Sequence, residues 1–468
     1  MAFRWLSRTD LEADEGYLER RVYDEKLANI AREAWPSDSR GLVPVVFDYS
    51  GEINHHLTEF AMKLNKRDGS EKTISSYAIE ADVFVRYLEK RNLKIESVLE
   101  QHLYDYRASR LWGDLEIRIT RRSWNKIAVV IRKLCDFSGL NFPDMEWDRF
   151  RYGGRDDDQV RMISLGRYLG FRRALGTVSR APLRNMAFAE LLVTTGLRCE
   201  EAASLLKCEV PALSHFGEGA NVRVWISEMI AKNRKGRYIE YARRVAGYYM
   251  RNYVEEERSH HVMRAINRIF PEDTYSGSHL SLNHGFVFFR QLGNGFIKVL
   301  NRNGEFRTKI SSLSVRERRV SIEVEKACKA DEYRVIDFGP LWIAEGGSAM
   351  RPRSWNAIFA ATSDKMKQED DMAIRITPHM LRHTFAVFTL NFLLKGLIEV
   401  RKTRSKLDRR GEVYDKIVGD PLRTVQTLLG HGSIDSTMIY LKYVEDNQEL
   451  VRDAYCEWDE HLSGGYAT

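Results

Sequence analysis

Apolar positions along this chain follow a helical period first and a mixture of periods later. From about residue 52 to 140 the spacing is helical. Ile74, Tyr77, Ala81, Phe84, Val85 and Leu88 fall on one stripe of a helix whose N-cap is predicted at Thr73. A second helix is predicted from Thr120, with Trp124, Ile127, Ile131, Leu134 and Cys135 inward. Its outer face carries Arg121, Arg122, Lys126, Arg132 and Lys133, either a solvated face or a strip of phosphate contacts. Phe142-Pro143-Asp144 closes this piece, and residues 145–160, rich in charge and turn formers, read as a linker.

Beyond residue 165 the pattern changes. An apolar run over 183–197 predicts a helix that closes at Gly196. Val222, Val224 and Ile226 alternate with Arg223 and Trp225, a strand signal. Asn233-Arg234-Lys235-Gly236 reads as a turn and 238–241 as the returning strand, so Lys232 sits at the shoulder of a β-hairpin. Residues 256–338 have no dominant period and read as an insertion, and the basic stretch 395–420 reads as a second one. The expected fold is mainly α with a small β-sheet. Its expected pieces are an extension over 1–50, partly helical near 18–33, a helical domain over 51–142, a linker over 143–164 and one large domain over 165–468.

Charge adds a modest bias. Among 468 residues, 73 Lys and Arg against 66 Asp and Glu leave +7. That suits a polyanionic partner or plain solubility. Cys135, Cys199, Cys208, Cys328 and Cys456 form no CxxC pair, which predicts neither a zinc site nor a disulfide framework and fits a reducing compartment. No apolar h-region follows the first residues and no run of 18 apolar residues occurs, so neither a signal peptide nor a membrane span is expected.

Three segments carry candidate chemistry. In Thr194-Thr195-Gly196-Leu197-Arg198-Cys199-Glu200-Glu201, an arginine follows a helix end. In Thr377-Pro378-His379-Met380-Leu381-Arg382-His383, three cationic groups at i, i+3 and i+4 share a helix face, where they repel unless an anion sits among them. In Leu429-Gly430-His431, Gly430 stops a helix, Asp435 or Ser436 caps the next, and Tyr440 follows one turn in. Each segment alone also fits a structural role. Jointly, arginines, histidines, a lysine and a tyrosine are what phosphoryl transfer needs without a metal. Guanidinium groups bind the extra negative charge of the transition state, tyrosine is a nucleophile that stores the bond energy, and lysine supplies a proton to the leaving oxygen. No Asp/Glu/His cluster has divalent-metal spacing, so neither a metal nor another cofactor is expected.

At these residues the sequence resembles the tyrosine recombinase (phage integrase) family. Gly196-Leu197-Arg198 with Glu201 resembles its first arginine box. His379 to Thr384 resembles its His-x-x-Arg box. Leu429-Gly430-His431 with Tyr440, nine residues beyond His431, resembles its terminal box. Lys232 resembles its hairpin lysine, with Lys235 in the same turn as a competitor, and Tyr443 competes with Tyr440. The resemblance implies a helical SAM-like core-binding domain followed by a mixed α/β catalytic domain of the DNA breaking-rejoining type, closing as a clamp on double-stranded DNA. It implies that Arg198 and Arg382 clamp the scissile phosphate and that His431 holds a phosphate oxygen. His379 is implied as general base or hydrogen-bond partner of the tyrosine, Lys232 as proton donor to the 5′-oxygen, and Tyr440 as the residue forming a 3′-phosphotyrosyl bond. Glu201 and His383 would support them, and Arg121, Arg122, Lys126, Arg132 and Lys133 would face DNA.

The expected function is that of a mobile-element integrase or transposase-like recombinase in a bacterial cytoplasm, associated with the nucleoid. It would act as a tetramer on DNA, be monomeric or weakly associated when free, and work with accessory DNA-bending or directionality proteins. A type IB topoisomerase and a catalytically silent DNA-binding accessory protein are the alternatives. Arg198 and Arg382 lie 184 residues apart, longer than the family's usual spacing, and the excess is expected in 256–338. A tail helix is expected over 444–462.

Overall fold

The computed structural model describes residues 2–6, 43–48, 50–66, 71–113, 118–143, 145–151, 161–211, 221–282, 285–301, 304–329, 331–370, 374–404 and 420–443. The expected helices over 18–33 and 444–462 lie outside these residues. The chain divides into two compact units, Met1–Asp157 and Asp158–Thr468.

The first unit opens with two antiparallel strands, β1 (Ala2–Leu6) and β2 (Val43–Phe47). Four helices follow: α1 (His55–Lys66), α2 (Glu71–Glu89), α3 (Glu100–Trp112) and α4 (Arg121–Phe137), with a short α5 (Trp147–Phe150) after them. Ile74, Ala81, Phe84 and Leu88 of α2 pack with Trp124, Ile127, Ile131 and Leu134 of α4 in one core. α2 is already under way at Glu71, so Thr73 lies inside it and is not its N-cap. Thr120 does cap α4, its hydroxyl accepting from the Ser123 N–H at 3.2 Å. Two departures from the sequence reading concern the ends of this unit. Val46 of β2 belongs to the same core, with Phe3 and Trp5 of β1 packed on it. Met145 and Phe150, inside the expected linker, are buried there too, and the Trp124 indole N–H donates to the Phe150 carbonyl at 2.9 Å. Met145 and Phe150 thus anchor this stretch to the core while Glu146 and Asp148 between them stay exposed.

The second unit begins with α6 (Leu165–Val178), α7 (Pro182–Thr195) and α8 (Cys199–Ala203). The hairpin of β3 (Asn221–Ile226) and β4 (Arg237–Ala242) follows, in the register Trp225↔Tyr238. After helical turns comes α9 (Ser259–Ile269). The stretch without a period then proves to be a six-stranded sheet. Its strands are β5 (Tyr275–Ser276), β6 (Val287–Gly293), β7 (Phe296–Asn301), β8 (Gly304–Lys309), β9 (Ser321–Lys326) and β10 (Glu332–Phe338), in the order β5-β10-β9-β6-β7-β8. β6 and β9 are parallel and the other neighbours antiparallel. Arg258 ties this sheet to the helical core. Its guanidinium donates to Asp337 Oδ1 at 2.8 Å and to the carbonyls of Phe338, Pro340 and Leu341 at 2.6, 2.8 and 3.0 Å.

The chain then returns to helices, α10 (Pro352–Glu369), α11 (Pro378–Arg404), α12 (Pro421–Leu429) and α13 (Asp435–Met438), and the described residues close with a tight turn over Ile439–Tyr443. Trp342 and Trp355 close the main core around α7, with the Phe188 ring stacked on Trp355 at 3.6 Å. The expected second insertion begins as helix: 395–404 simply continue α11, and 405–419 lie outside the described residues. The cap of α13 is Ile434, so Asp435 and Ser436 are its first helical residues and not its cap.

Candidate active site

Helix α7 stops at Gly196, whose φ of 65° is left-handed and whose missing Cβ leaves room for the Phe385 ring. The chain then turns back at once, and Arg198 becomes the extended residue before α8. Glu201, one turn on, accepts both the Arg198 backbone N–H and its Nη1, each at 2.9 Å. Arg198 Nη2 reaches the Gly430 carbonyl at 3.2 Å.

Helix α11 starts at Pro378 after Thr377, as the sequence predicts. Its Arg382 is 1% exposed and donates to the Gly196 carbonyl at 2.6 Å and the Leu429 carbonyl at 2.7 Å. One guanidinium thus joins the three segments. Burial and the neighbouring Arg198 charge lower its pKa to about 9, with Glu201 pulling the other way. The group remains cationic at neutral pH.

Helix α12 ends at Gly430, again left-handed with φ of 63°. His431 follows, its Nδ1 hydrogen-bonded to Thr437 Oγ1 at 2.9 Å. That leaves Nε2 as the ring nitrogen with which it can meet an oxygen. Tyr440 is 1% exposed in the final turn, its ring stacked on His431 at 6.1 Å between centroids. Its hydroxyl lies 2.9 Å from Nδ1 of His383. The sequence reading gave this hydroxyl to His379. The structure gives it to His383, because the i+4 position turns inward along α11 while His379 is exposed, 4.3 Å away ring to ring. Tyr443 is half-buried beside the same apolar cluster.

Lys232 sits in the turn between β3 and β4 and is exposed, as are Asn233, Arg234 and Lys235. Among the described residues it bonds to none of the other five candidates. The sequence reading missed Arg237, the first residue of β4. Its Nη1 and Nη2 donate to both oxygens of Glu201 at 3.0 and 2.6 Å, and its Nε donates to the Leu428 carbonyl at 2.8 Å. Gly430 must lack a side chain partly because Arg237 passes 3.0 Å from where a Cβ would be. The one signal was a charged residue at an inward strand position, in phase with Ile239 and Tyr241.

The titrating groups divide by charge sign. Burial would raise the Glu201 pKa, but Arg237 and Arg198 hold it at about 2. Burial, with His379 and Arg382 beside it, lowers His383 to about 3. Burial, with Arg382 and Arg198, lowers His431 to about 3. Burial raises Tyr440 above its ordinary value, against the pull of the two arginines. Both histidines are therefore neutral in the fold and protonate near 6.5 when unfolded. Between those values the unfolded chain binds more protons, so stability is lost as pH falls from about 6.5 toward 3. Denaturant titrations across this range should give a falling midpoint, with the slope flattened in His383→Gln and His431→Gln. An unchanged slope in both variants would show that neither ring is held neutral.

In the first unit, Arg121, Lys126 and Arg132 are exposed on α4 and Lys133 is half-buried. Arg132 lies 5.7 Å over the Trp147 ring and Lys133 5.6 Å from that of Tyr77. The Arg122 side chain is outside the described residues.

Among the described residues no group of His, Cys, Asp and Glu could hold a metal ion, and no helix is long and apolar enough to cross a membrane. The three sequence segments and one strand thus bring together three guanidiniums, two imidazoles and a phenol, a constellation suited to meeting one phosphate. No protein-family model matches the chain. The tyrosine recombinase XerC of Oceanobacillus iheyensis is 30% identical over 101 residues, which are 22% of this chain and 24% of that relative. The chain therefore matches about a quarter of its length. Over this quarter of that relative, and at the three boxes, the chain is similar to the tyrosine recombinases. Among solved structures, XerH recombinase bound to a palindromic difH substrate aligns over 94% of this chain and 90% of its own, with 12% identity and a TM-score of 0.48. XerA recombinase aligns over 86% and 98%, with 16% identity and a TM-score of 0.31. The Tn1549 transposon integrase aligns over 82% and 94%, with 11% identity and a TM-score of 0.45.

Proposed function

We propose that this protein is a site-specific DNA recombinase of a mobile element, breaking and rejoining strands through a 3′-phosphotyrosyl intermediate without a metal. The contact between Tyr440 and His383, beside two arginines anchored on the carbonyls of Gly196, Leu429 and Gly430, carries this reading. The Tyr440 oxygen attacks the phosphorus and the bond to the 5′-oxygen breaks. As the new bond forms, the phenolic proton becomes strongly acidic and passes to Nδ1 of His383, which is neutral at rest. The leaving 5′-oxygen takes its proton from Lys232, carried on the exposed turn. Arg198, Arg382 and Nε2 of His431 hold the non-bridging oxygens, where charge accumulates. The 5′-hydroxyl of a second strand then reverses these steps. His379 and Arg237 support the two ends of the site. Double-stranded DNA is the substrate, two duplexes and four protomers form the working assembly, and the outer face of α4 contributes phosphate contacts.

The test is a suicide duplex carrying the element's own end, incubated with protein and resolved in SDS. Wild type should leave a covalent adduct that Tyr440→Phe lacks and Tyr443→Phe retains, in EDTA as well as in magnesium. Adduct lost only in Tyr443→Phe would move the nucleophile. A strict need for a divalent ion would contradict a mechanism in which cations of the protein carry the phosphate charge. Relaxation of plasmid without regard to sequence would point to a topoisomerase, and binding without adduct to an accessory protein.

A further inference from the structure

The outer end of the inserted sheet departs from the charge pairing used elsewhere in this unit. Where β10 meets β9, Arg334 stands directly opposite Glu325 and bonds to it. Where β3 meets β4, Arg223 stands opposite Glu240 at 3.1 Å. At the outer end of the inserted sheet, by contrast, Arg290 on β6 stands opposite Lys298 on β7, and Lys298 opposite Arg307 on β8. Directly paired residues share a face, and neighbouring strands lie about 4.8 Å apart. The three side chains therefore form a cationic row roughly 10 Å long across three strands.

Like charges placed directly opposite each other destabilise a sheet. The fold supplies one carboxylate against this row. Glu305 accepts from Lys298 at 3.1 Å and from Arg290 at 3.4 Å. Burial alone would raise its pKa, yet those two cations hold it below the usual value. Arg307 is exposed, with its guanidinium 4.2 Å over the Phe296 ring. Lys309, also exposed, lies 6.0 Å from the same ring, one residue pair further along that face. Two half-buried cations bonded to one carboxylate, two exposed cations and an aromatic ring thus share this face.

From this we infer that the outer end of the inserted sheet, Arg290, Lys298, Arg307 and Lys309, is a second docking surface for the sugar-phosphate backbone of duplex DNA. None of these residues belongs to the strand-transfer site. Arg290 and Lys298 already share the Glu305 carboxylate; together with Arg307 and Lys309 they form a row across the strands that matches a linear polyanion better than one more small anion. That the polyanion is DNA rests on the recombinase reading above, and the charge deficit itself does not. The insertion then extends the protein's hold on duplex beyond the reacting phosphate.

The experiment measures binding of full-length protein to mixed-sequence duplex DNA across a salt series. Wild type is compared with the triple variant Arg290→Gln/Lys298→Gln/Arg307→Gln and with Glu305→Gln. Each lost phosphate contact lowers the slope of log affinity against log salt by about 0.9, so the triple variant should lose roughly 2 to 3 from the slope. Glu305→Gln removes the one opposing charge and should tighten binding several-fold while lowering the melting temperature of the free protein, a split that a purely structural carboxylate would not produce. An unchanged slope in the folded triple variant, or weaker binding by Glu305→Gln, overturns the proposal. Polyglutamate binding that depends on the row, with the DNA slope unaffected, also overturns it and makes the partner an acidic protein. Adduct formation on the suicide duplex is read separately. Adduct with unaltered slopes sinks the docking surface alone, and altered slopes without adduct sink the strand-transfer reading alone.

Discussion

Arg382→Ala is expected to lower the rate of adduct formation by roughly a hundred- to a thousandfold, the cost of one fixed donor at developing charge. Two losses combine in it. One is the guanidinium that, in the proposed mechanism, meets the phosphate. The other is the link between the Gly196 and Leu429 carbonyls, which its Nη1 and Nη2 hold at 2.6 and 2.7 Å. Arg382→Lys separates them. It keeps the positive charge but has one point donor where two carbonyls need a planar fork. If charge alone matters, Lys restores most of the rate; if the bridge matters, Lys resembles Ala. The geometry predicts the second result. Single-turnover cleavage with saturating duplex decides between them, and a rate for Arg382→Ala within a few-fold of wild type would remove this residue from the mechanism.

Glu201→Ala is expected to be the most destabilising single change at the site. Glu201 is 1% exposed and accepts four hydrogen bonds, two from Arg237 and two from Arg198. Arg237 is itself 5% exposed, so losing the carboxylate strands a buried cation. Breaking a buried pair from one side typically costs about 3–5 kcal/mol. Chemical denaturation should show a loss of that order, and Glu201→Gln an intermediate one, since an amide accepts hydrogen bonds without countering charge. The double variant Glu201→Ala/Arg237→Leu should recover part of the loss. A loss for Glu201→Ala near zero, or no recovery in the double variant, would show that the pair is not coupled. Because the folded pKa of Glu201 lies near 2 and the unfolded value near 4.5, this contribution is complete above pH 4.5 and fades as pH falls toward 2.

Much of this site is written in local sequence, and some of it is not. Gly196 and Gly430 end helices where Gly is expected, and the residues after them, Arg198 and His431, are delivered by those stops. His379, Arg382 and His383 share a helix because Thr377-Pro378 begins one. Sequence spacing could not say which of the two histidines turns inward, since i and i+4 are nearly equivalent until the helix packs. Arg237 was missed because a lone arginine in a strand has no local signature; only the fold brings it to Glu201 across 36 residues. The six-stranded sheet was missed for another reason. Its strands have two to seven residues, and charged positions on both faces are satisfied by distant partners such as Arg258 with Asp337. Hydrophobic alternation in Ser321–Lys326 and Glu332–Phe338 is real but short, and charged turns dilute it.

The two left-handed glycines have one more consequence. Each ends a helix, so the carbonyls of Gly196, Leu429 and Gly430 are the negative poles of the macrodipoles of α7 and α12, about half an elementary charge apiece. Arg198 and Arg382 rest against those poles. Before any DNA arrives, two helix ends and Glu201 thus stand in for the anion that would otherwise be needed to keep two guanidiniums side by side. In the proposed reaction a phosphodiester would meet arginines already held side by side, so little of its binding energy would be spent on moving them together.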